Sequence, residues 1–122
     1  MEWTFYEASG RPIAYCDDGR HIYAFSGMPL GYLDDDSVYA FSGQHLGWWD
    51  RAWIRDHHGA WVFFTESALG HGQRMPTKQP IPSKMFKSML PLRGSRDVKP
   101  LRAPNGSGWS SRSGLRFFAA TS

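Results

Sequence analysis

The chain has 122 residues, enough for one domain with its own core, and its charges are divided unevenly. Residues 1–69 contain ten carboxylates and four arginines, a net charge of −6, whereas residues 70–122 contain ten lysines and arginines and one aspartate, a net charge of +9. The single cysteine, Cys16, excludes an intramolecular disulfide, and no apolar run is long enough for a spanning helix. We therefore expect a domain at 1–69, a basic tail at 70–122, and a cytoplasmic protein. Peripheral attachment to a membrane is the alternative, since it needs no spanning helix.

Four glycines divide residues 1–69 into four similar units. They are spaced 17, 16 and 16 residues apart, at Gly10, Gly27, Gly43 and Gly59. The positions five before, three after and five after each glycine are apolar or aromatic in every unit: Phe5, Ile22, Val38 and Ile54; Ile13, Leu30, Leu46 and Val62; Tyr15, Tyr32, Trp48 and Phe64. Because glycine accepts the positive φ of a tight turn, each unit is predicted to be strand, turn, strand.

Two further positions refine the predicted hairpins. Pro12 and Pro29 stand two residues after their glycines, and since proline donates no ladder hydrogen bond, each should begin the second strand of its hairpin. The position four after the glycine is small in three units and aromatic in the fourth, as the series Ala14, Gly31, Gly47 and Phe63 shows. The small residues predict close approach to a neighbouring strand or to a central axis.

Eight short strands in a flat sheet would leave two exposed edges, which closure removes. The equal spacing therefore predicts an all-β fold in which four tandem β-hairpin repeats close into a small, shallow, pseudo-four-fold barrel. The glycine turns should lie at one end of the barrel and the inter-repeat turns at the other.

The segments Gly10-Arg-Pro-Ile-Ala-Tyr15, Gly27-Met-Pro-Leu-Gly-Tyr32 and Gly43-Gln-His-Leu-Gly-Trp-Trp49, with Trp61-Val-Phe-Phe-Thr-Glu66, resemble the four-fold β-flower domain. The resemblance covers most of residues 5–67. It implies a flower-like barrel with an apolar interior and a basic tail, and it brings no catalytic residues with it. The fourth unit departs most from the pattern, with His58 and Phe63 at positions held elsewhere by serine and small residues.

Carboxylates occupy the position seven after each glycine, namely Asp17, Asp34, Asp50 and Glu66. Four-fold closure would place them on the inter-repeat end as an acidic rim, a candidate site for a cation or for the basic tail. Turn chemistry alone is the alternative, because aspartate is a favoured turn residue. Neither Asp17-Asp18-Gly19 nor Asp34-Asp35-Asp36 has the alternating carboxylates of a calcium loop, so no metal site is expected.

A second candidate site consists of aromatic residues. Tyr15, Tyr32, Trp48 and Phe64 could line a cup for an apolar ligand or form an interface, since aromatic rings suit lipids and partner proteins. Core packing is the alternative for the same four residues. The tryptophans of the last two repeats could likewise meet a membrane or a partner.

Pro-x-basic elements recur in the tail, at Pro76-Thr-Lys78, Pro82-Ser-Lys84, Pro91-Leu-Arg93 and Pro100-Leu-Arg102. The composition predicts a largely disordered, extended segment. A solvated linker is one interpretation of it. Another is an electrostatic arm for anionic lipid or nucleic acid, through the cations Lys78, Lys84, Lys87, Arg93, Lys99 and Arg102. A third is fold-back onto the oppositely charged barrel, favoured by Trp109 and the apolar end Leu115-Arg-Phe-Phe118.

Nothing in the sequence indicates catalysis. Cys16 stands at a repeat position occupied elsewhere by Leu33, Trp49 and Thr65, and Asp56-His57-His58 reads as a drifted turn. We therefore expect a non-enzymatic binding or scaffold module, without cofactor, metal or small-molecule substrate. Its expected partner is an anionic membrane surface or lipid, the alternative is nucleic acid bound through the tail, and self-association is a further expectation.

Overall fold

The computed structural model describes residues 2–70 and 74–119. Each strand pairs antiparallel with the next, and β1 pairs with β8 through Tyr6 and Phe64, so the sheet is a closed barrel. This confirms the predicted all-β barrel of four hairpin repeats. The strands are β1 (Trp3–Tyr6), β2 (Pro12–Cys16), β3 (His21–Ala24), β4 (Pro29–Asp34), β5 (Ser37–Tyr39), β6 (His45–Asp50), β7 (Trp53–Arg55) and β8 (Trp61–Phe64).

The four glycine turns have the same geometry. Each glycine has a positive φ, between 84° and 99°, and donates its N–H to the carbonyl three residues earlier, as from Gly10 to Glu7 at 2.8 Å. The register shifts at the same place in every hairpin, for example between Phe5 and Tyr6. Pro12 and Pro29 begin β2 and β4, as predicted. The pseudo-four-fold symmetry therefore extends to the backbone hydrogen bonding.

The small residues allow close approach of two kinds. A Cβ on Gly47 would lie 2.2 Å from the carbonyl oxygen of Arg55 on the neighbouring strand and 3.0 Å from the Cζ of Phe117. A Cβ on Gly31 would likewise come close to the carbonyl oxygen of Tyr39 and to the ring of Phe118. Both predicted alternatives are therefore found. The backbone of the neighbouring strand and the rings of Phe117 and Phe118 occupy the space beside these two glycines.

Phe117 and Phe118, which we call the plug, belong to the last described part of the tail. A 3-10 helix, Gly114–Phe117, lies at the glycine-turn end, where a Cβ on Gly114 would be 3.1 Å from Glu7 Oε2. Phe117 and Phe118 join the apolar interior, and Phe63 stacks on Phe118 with ring centroids 5.6 Å apart. No helix among the described residues is long and apolar enough to cross a bilayer.

The tail runs along the barrel and contacts every repeat. Backbone N–H groups nine residues apart donate to the four turn glycines: Gln79 to Gly10, Ser88 to Gly27, Asp97 to Gly43 and Gly106 to Gly59, at 2.9 to 3.1 Å. The tail lacks regular secondary structure from residue 74 to residue 113, apart from the isolated bridge between Trp109 and Trp61. The tail is thus extended and without regular secondary structure over residues 74–113, as predicted, and its hydrogen bonds to the turn glycines keep it along the barrel. These residues correspond to the fold-back alternative, because hydrogen bonds and opposite charge hold them on the barrel.

Candidate functional site at the barrel–tail interface

Aromatic pairs cover the outside of the barrel. The position five after one glycine pairs, across the inter-repeat hairpin, with the position four before the next, so Tyr15 lies opposite Tyr23 and Tyr32 opposite Tyr39. Both pairs stack, with ring centroids 5.8 and 5.5 Å apart. Closure of the barrel produces a third pair, Tyr6 and Phe64. In the fourth pair Trp48 faces Arg55.

The predicted apolar cup is therefore not open. Tyr15, Tyr32, Trp48 and Phe64 are each at most 4% exposed, because the tail lies over the aromatic pairs. Met75 packs against the cluster that contains Tyr6 and Phe64. The packing alternative describes these four residues, and their partner surface is the tail of the same chain.

Tail cations sit over the faces of the buried rings. A cation above an aromatic face is attracted by the ring quadrupole, more strongly where water is excluded. The distances from the charged group to the ring centroid are 4.0 to 5.6 Å for Lys84 over Tyr15, Lys87 over Tyr23, Arg93 over Tyr32, Arg96 over Tyr39 and Arg102 over Trp48.

The acidic rim pairs with the same cations. Asp17, Asp34 and Asp50 stand at or just after the ends of β2, β4 and β6, and therefore share the inter-repeat end of the barrel. Asp17 accepts from Lys87 Nζ at 2.7 Å, Asp34 from Arg96, and Asp50 lies 3.1 Å from Arg102 Nη2. Glu66 differs, since its Oε1 accepts the backbone N–H of Thr4 at 2.8 Å. Three rim carboxylates thus contact the tail, and the fourth accepts a hydrogen bond from the backbone of β1.

These contacts shift several pKa values. The hydrogen bond from Lys99, 2.8 Å away, holds the pKa of Asp36 below its usual value. Burial acts to raise the pKa of Asp50, but the charges of Arg102 and Arg55 outweigh it and the net shift is downward. The hydrogen bond to Asp17 raises the pKa of Lys87. All three shifts favour the ionised forms, and therefore the docked tail, at neutral pH.

Five of the six predicted tail cations contact the barrel, namely Lys84, Lys87, Arg93, Lys99 and Arg102. Lys78, the sixth, is exposed. Sequence reasoning missed Arg96, which donates to Asp34 and to the hydroxyl of Tyr32. A nine-residue period was the available signal, since Lys84, Arg93 and Arg102 form one series and Lys78, Lys87 and Arg96 another.

With the cations facing the barrel, large apolar side chains of the tail face outward. Phe86 is 99% exposed, Leu92 96% and Met89 93%, and Met85 is exposed as well. Val98 and Leu101, further along the tail, are also exposed. We call residues 85–92 the apolar strip. Folded proteins rarely expose so many large apolar side chains within a few residues unless that surface binds something.

The histidine-containing turn of the fourth repeat has the turn chemistry predicted for it. Asp56 Oδ1 accepts the backbone N–H groups of His58 and Ala60, each at 2.9 Å, which fixes the turn around Gly59. Cys16 is buried, and burial raises the pKa of its thiol to about 11. Within residues 2–70 and 74–119 no group of three His, Cys, Asp or Glu side chains is arranged to hold a metal ion.

Comparison with known proteins identifies one family. The family model described as 4-fold beta flower protein matches residues 3–118, which include both the barrel and the docked tail. No curated protein and no solved structure matched the sequence.

Proposed function

The chain belongs to the 4-fold beta flower family, and from this premise we propose that it is a non-enzymatic binding module that attaches to an anionic lipid surface through the apolar strip. The observation that carries the proposal is the orientation of the tail. The cations from Lys84 to Arg102 contact the barrel, while Phe86, Met89 and Leu92 are almost fully exposed. Side chains of this kind insert into the boundary between headgroups and acyl chains.

The charge around the strip favours lipid over a protein partner. No carboxylate occurs between residues 67 and 96, and Arg74 and Lys78 precede the strip as exposed cations. Each basic residue near an anionic bilayer contributes about 1 kcal/mol of attraction. An apolar strip flanked by basic residues therefore suits a surface of acidic lipids.

Nucleic-acid binding through the tail has less support. That alternative relies on freely presented cations, yet Lys84, Lys87, Arg93, Arg96 and Arg102 contact carboxylates or aromatic rings of the barrel. Releasing them to phosphates would expose the buried aromatic pairs. No observation on the described residues specifically favours it.

Vesicle sedimentation tests the proposal with the full chain. We expect the protein to sediment with phosphatidylcholine–phosphatidylserine vesicles at low salt, and the double variant Phe86→Ser/Leu92→Ser to lose most of this binding. The matched control is Val98→Ser/Leu101→Ser, which removes two equally exposed apolar side chains outside the strip.

Two results would contradict the lipid assignment: absence of binding by the unaltered chain, or equal loss in both double variants. Size-exclusion chromatography of the same proteins separates lipid binding from self-association. If the unaltered chain forms an oligomer that only Phe86→Ser/Leu92→Ser dissolves, the strip is an interface between copies of this chain.

A further inference from the structure

The hairpin that joins the third and fourth repeats departs from its three counterparts in two charged residues. Arg55 stands where the other repeats have Tyr6, Tyr23 and Tyr39, and Arg51 occupies the turn position held elsewhere by Asp18, Asp35 and Ser67. One substitution replaces a ring by a cation, and the other places a cation where two repeats have a carboxylate. Both arginines therefore add positive charge to one quarter of an otherwise acidic barrel.

The facing part of the tail departs from its own nine-residue pattern. Asn105 stands in the series Lys78, Lys87, Arg96, and Gly106 in the series Gln79, Ser88, Asp97. The tail thus loses a cation and a side chain opposite the two additional arginines. Both sets of departures therefore occur in the same quarter of the molecule.

A cavity of about 590 Å³ lies there. It is lined by Asp50, Arg51, Arg55, Trp61 and the tail residues 105–107. Its volume is in the range of small-molecule sites. The departures from both repeats therefore line one cavity between the barrel and the tail.

Positive charge prevails at the wall of this cavity. Asp50 is surrounded by three guanidinium groups, with Arg102 Nη2 at 3.1 Å, Arg55 Nε at 3.3 Å and Arg51 Nε at 3.5 Å. Arg51 and Arg55 line the cavity, whereas Arg102 does not line it and pairs with Asp50, so the charges of the two lining arginines are not both neutralised. A negatively charged ligand would be attracted to this wall.

Arg55 is held rigidly. Its Nη1 donates to the carbonyl oxygens of Gly59 and Gly106, each at 2.8 Å, and the side chain is 5% exposed. A buried guanidinium fixed in this way is preorganised. Its Nε and Nη1 are engaged by Asp50 and the two carbonyls, which leaves Nη2 to donate to a carboxylate or phosphate oxygen. Arg51, by contrast, is 84% exposed and stands at the entrance.

A buried polar group also points to a ligand. The indole N–H of Trp61, a buried lining residue, has no hydrogen-bond acceptor within the described part of the chain, an arrangement that is costly in a protein interior. Arg51 and Ala52, with φ of 48° and 73°, are the two central residues of the hairpin turn between Asp50 and Trp53. That turn type requires positive φ at both positions, and it sets Arg51 at the cavity wall.

We propose that this cavity binds a small organic anion, recognised through its carboxylate or phosphate group by Arg55 and Arg51, with its remaining atoms against Trp61. This site is separate from the apolar strip, and it does not depend on the lipid proposal.

Calorimetric titration of the full chain tests the site, with inorganic phosphate and benzoate as probes at constant chloride concentration. We expect saturable binding of at least one probe. Binding of phosphate alone assigns phosphate esters as the ligand class, and binding of benzoate alone assigns carboxylates. Absence of saturable binding of both probes overturns the proposal.

Three variants locate the binding. Arg51→Asn retains a residue that tolerates positive φ and should weaken binding about tenfold, the usual effect of losing one charged hydrogen bond. Gly106→Gln restores a side chain like that of Gln79 and should abolish binding by occupying the cavity. Within the described part of the chain, a Cβ at Gly106 meets only the Gly59 oxygen, at 3.8 Å, so the fold accepts this change.

The control is Arg20→Asn, which removes an exposed arginine near the inter-repeat turn of another quarter. It should leave binding unchanged. If Arg20→Asn weakens binding as much as Arg51→Asn does, or if Gly106→Gln has no effect, anion binding is a property of the general charge and the proposed site is wrong.

Discussion

His45 shows how the neighbours of one residue determine its protonation. The hydroxyl of Ser37 donates to Asp36, so it accepts from His45 Nε2–H at 3.0 Å. The other ring nitrogen, Nδ1, then accepts from His57 Nε2–H at 2.9 Å. A proton added to Nδ1 would point at the N–H of His57, so the charged form of His45 is disfavoured. Burial first, and then the neighbouring His57, lower the pKa of His45 to about 4.

The lowered pKa predicts a pH dependence of stability. Above pH ~6.5, the usual histidine pKa, His45 is neutral in both states and its contribution is complete. As the pH falls below that value only the unfolded chain takes up the proton, so the free energy of unfolding should decrease by about 3 kcal/mol by pH ~4.

Urea denaturation between these pH values measures that decrease in the free energy of unfolding. His45→Gln should reduce the slope, whereas the control, His58→Gln, alters an exposed ring and should leave it unchanged. Equal slopes in the unaltered chain and His45→Gln would contradict the assignment.

At the scale of the element, the 3-10 helix closes one end of the barrel by placing Phe117 in its apolar interior. Phe117 is 2% exposed and meets Phe63 edge to face, and the space for it exists because Gly47 has no side chain. Leu115 of the same helix is 51% exposed. The helix therefore stabilises the barrel through a few aromatic contacts.

Substitutions in this helix should have unequal effects on stability. Phe117→Ala should lower the free energy of unfolding by about 3 to 5 kcal/mol, the range for truncating a buried phenylalanine. Leu115→Ala, the control, should change it by about 0.5 kcal/mol or less, as exposed positions do. Denaturant titration distinguishes these values, and similar losses in both variants would contradict the plug.

At the scale of the whole molecule, two repeats of different length are in register. The barrel repeats every 16 or 17 residues and the tail every nine, and a tail N–H reaches each glycine turn. A side chain on the turn glycine would prevent this contact, because a Cβ on Gly27 would lie 1.9 Å from the carbonyl oxygen of Phe86. The tail is therefore an integral part of the folded domain.

Gly27→Ala should consequently be more destabilising than backbone strain alone explains. Gly19 is the matched control, since its φ is +78° against +93° at Gly27 and no atom of the described residues lies within 4 Å of a Cβ built there. Gly19→Ala should lower the free energy of unfolding by about 1 kcal/mol, the strain of a left-handed alanine. Gly27→Ala should lower it by at least about 2 kcal/mol more, because the tail must move and hydrogen bonds are lost.

Thermal and urea denaturation of both glycine variants provide the measurement. Equal destabilisation would mean that the tail does not bind at the glycine turns in solution.

The sequence alone determined the local features of this protein. Glycine spacing and apolar positions predicted the hairpins and the closed barrel, because positive φ and strand alternation are properties of neighbouring residues. The end of the barrel at which the acidic rim lies followed from the same spacing.

Only the tertiary structure decided what covers Tyr15 and Tyr32, where Arg96 binds, and that Arg51, Arg55 and Gly106 line one cavity. These contacts join residues some 50 to 80 positions apart. The composition of the tail predicts its charge, but it does not predict which barrel residues the tail contacts. Opposite charge made fold-back a reasonable alternative. The hydrogen bonds that hold the tail in register depend on distances that exist only once the barrel has closed.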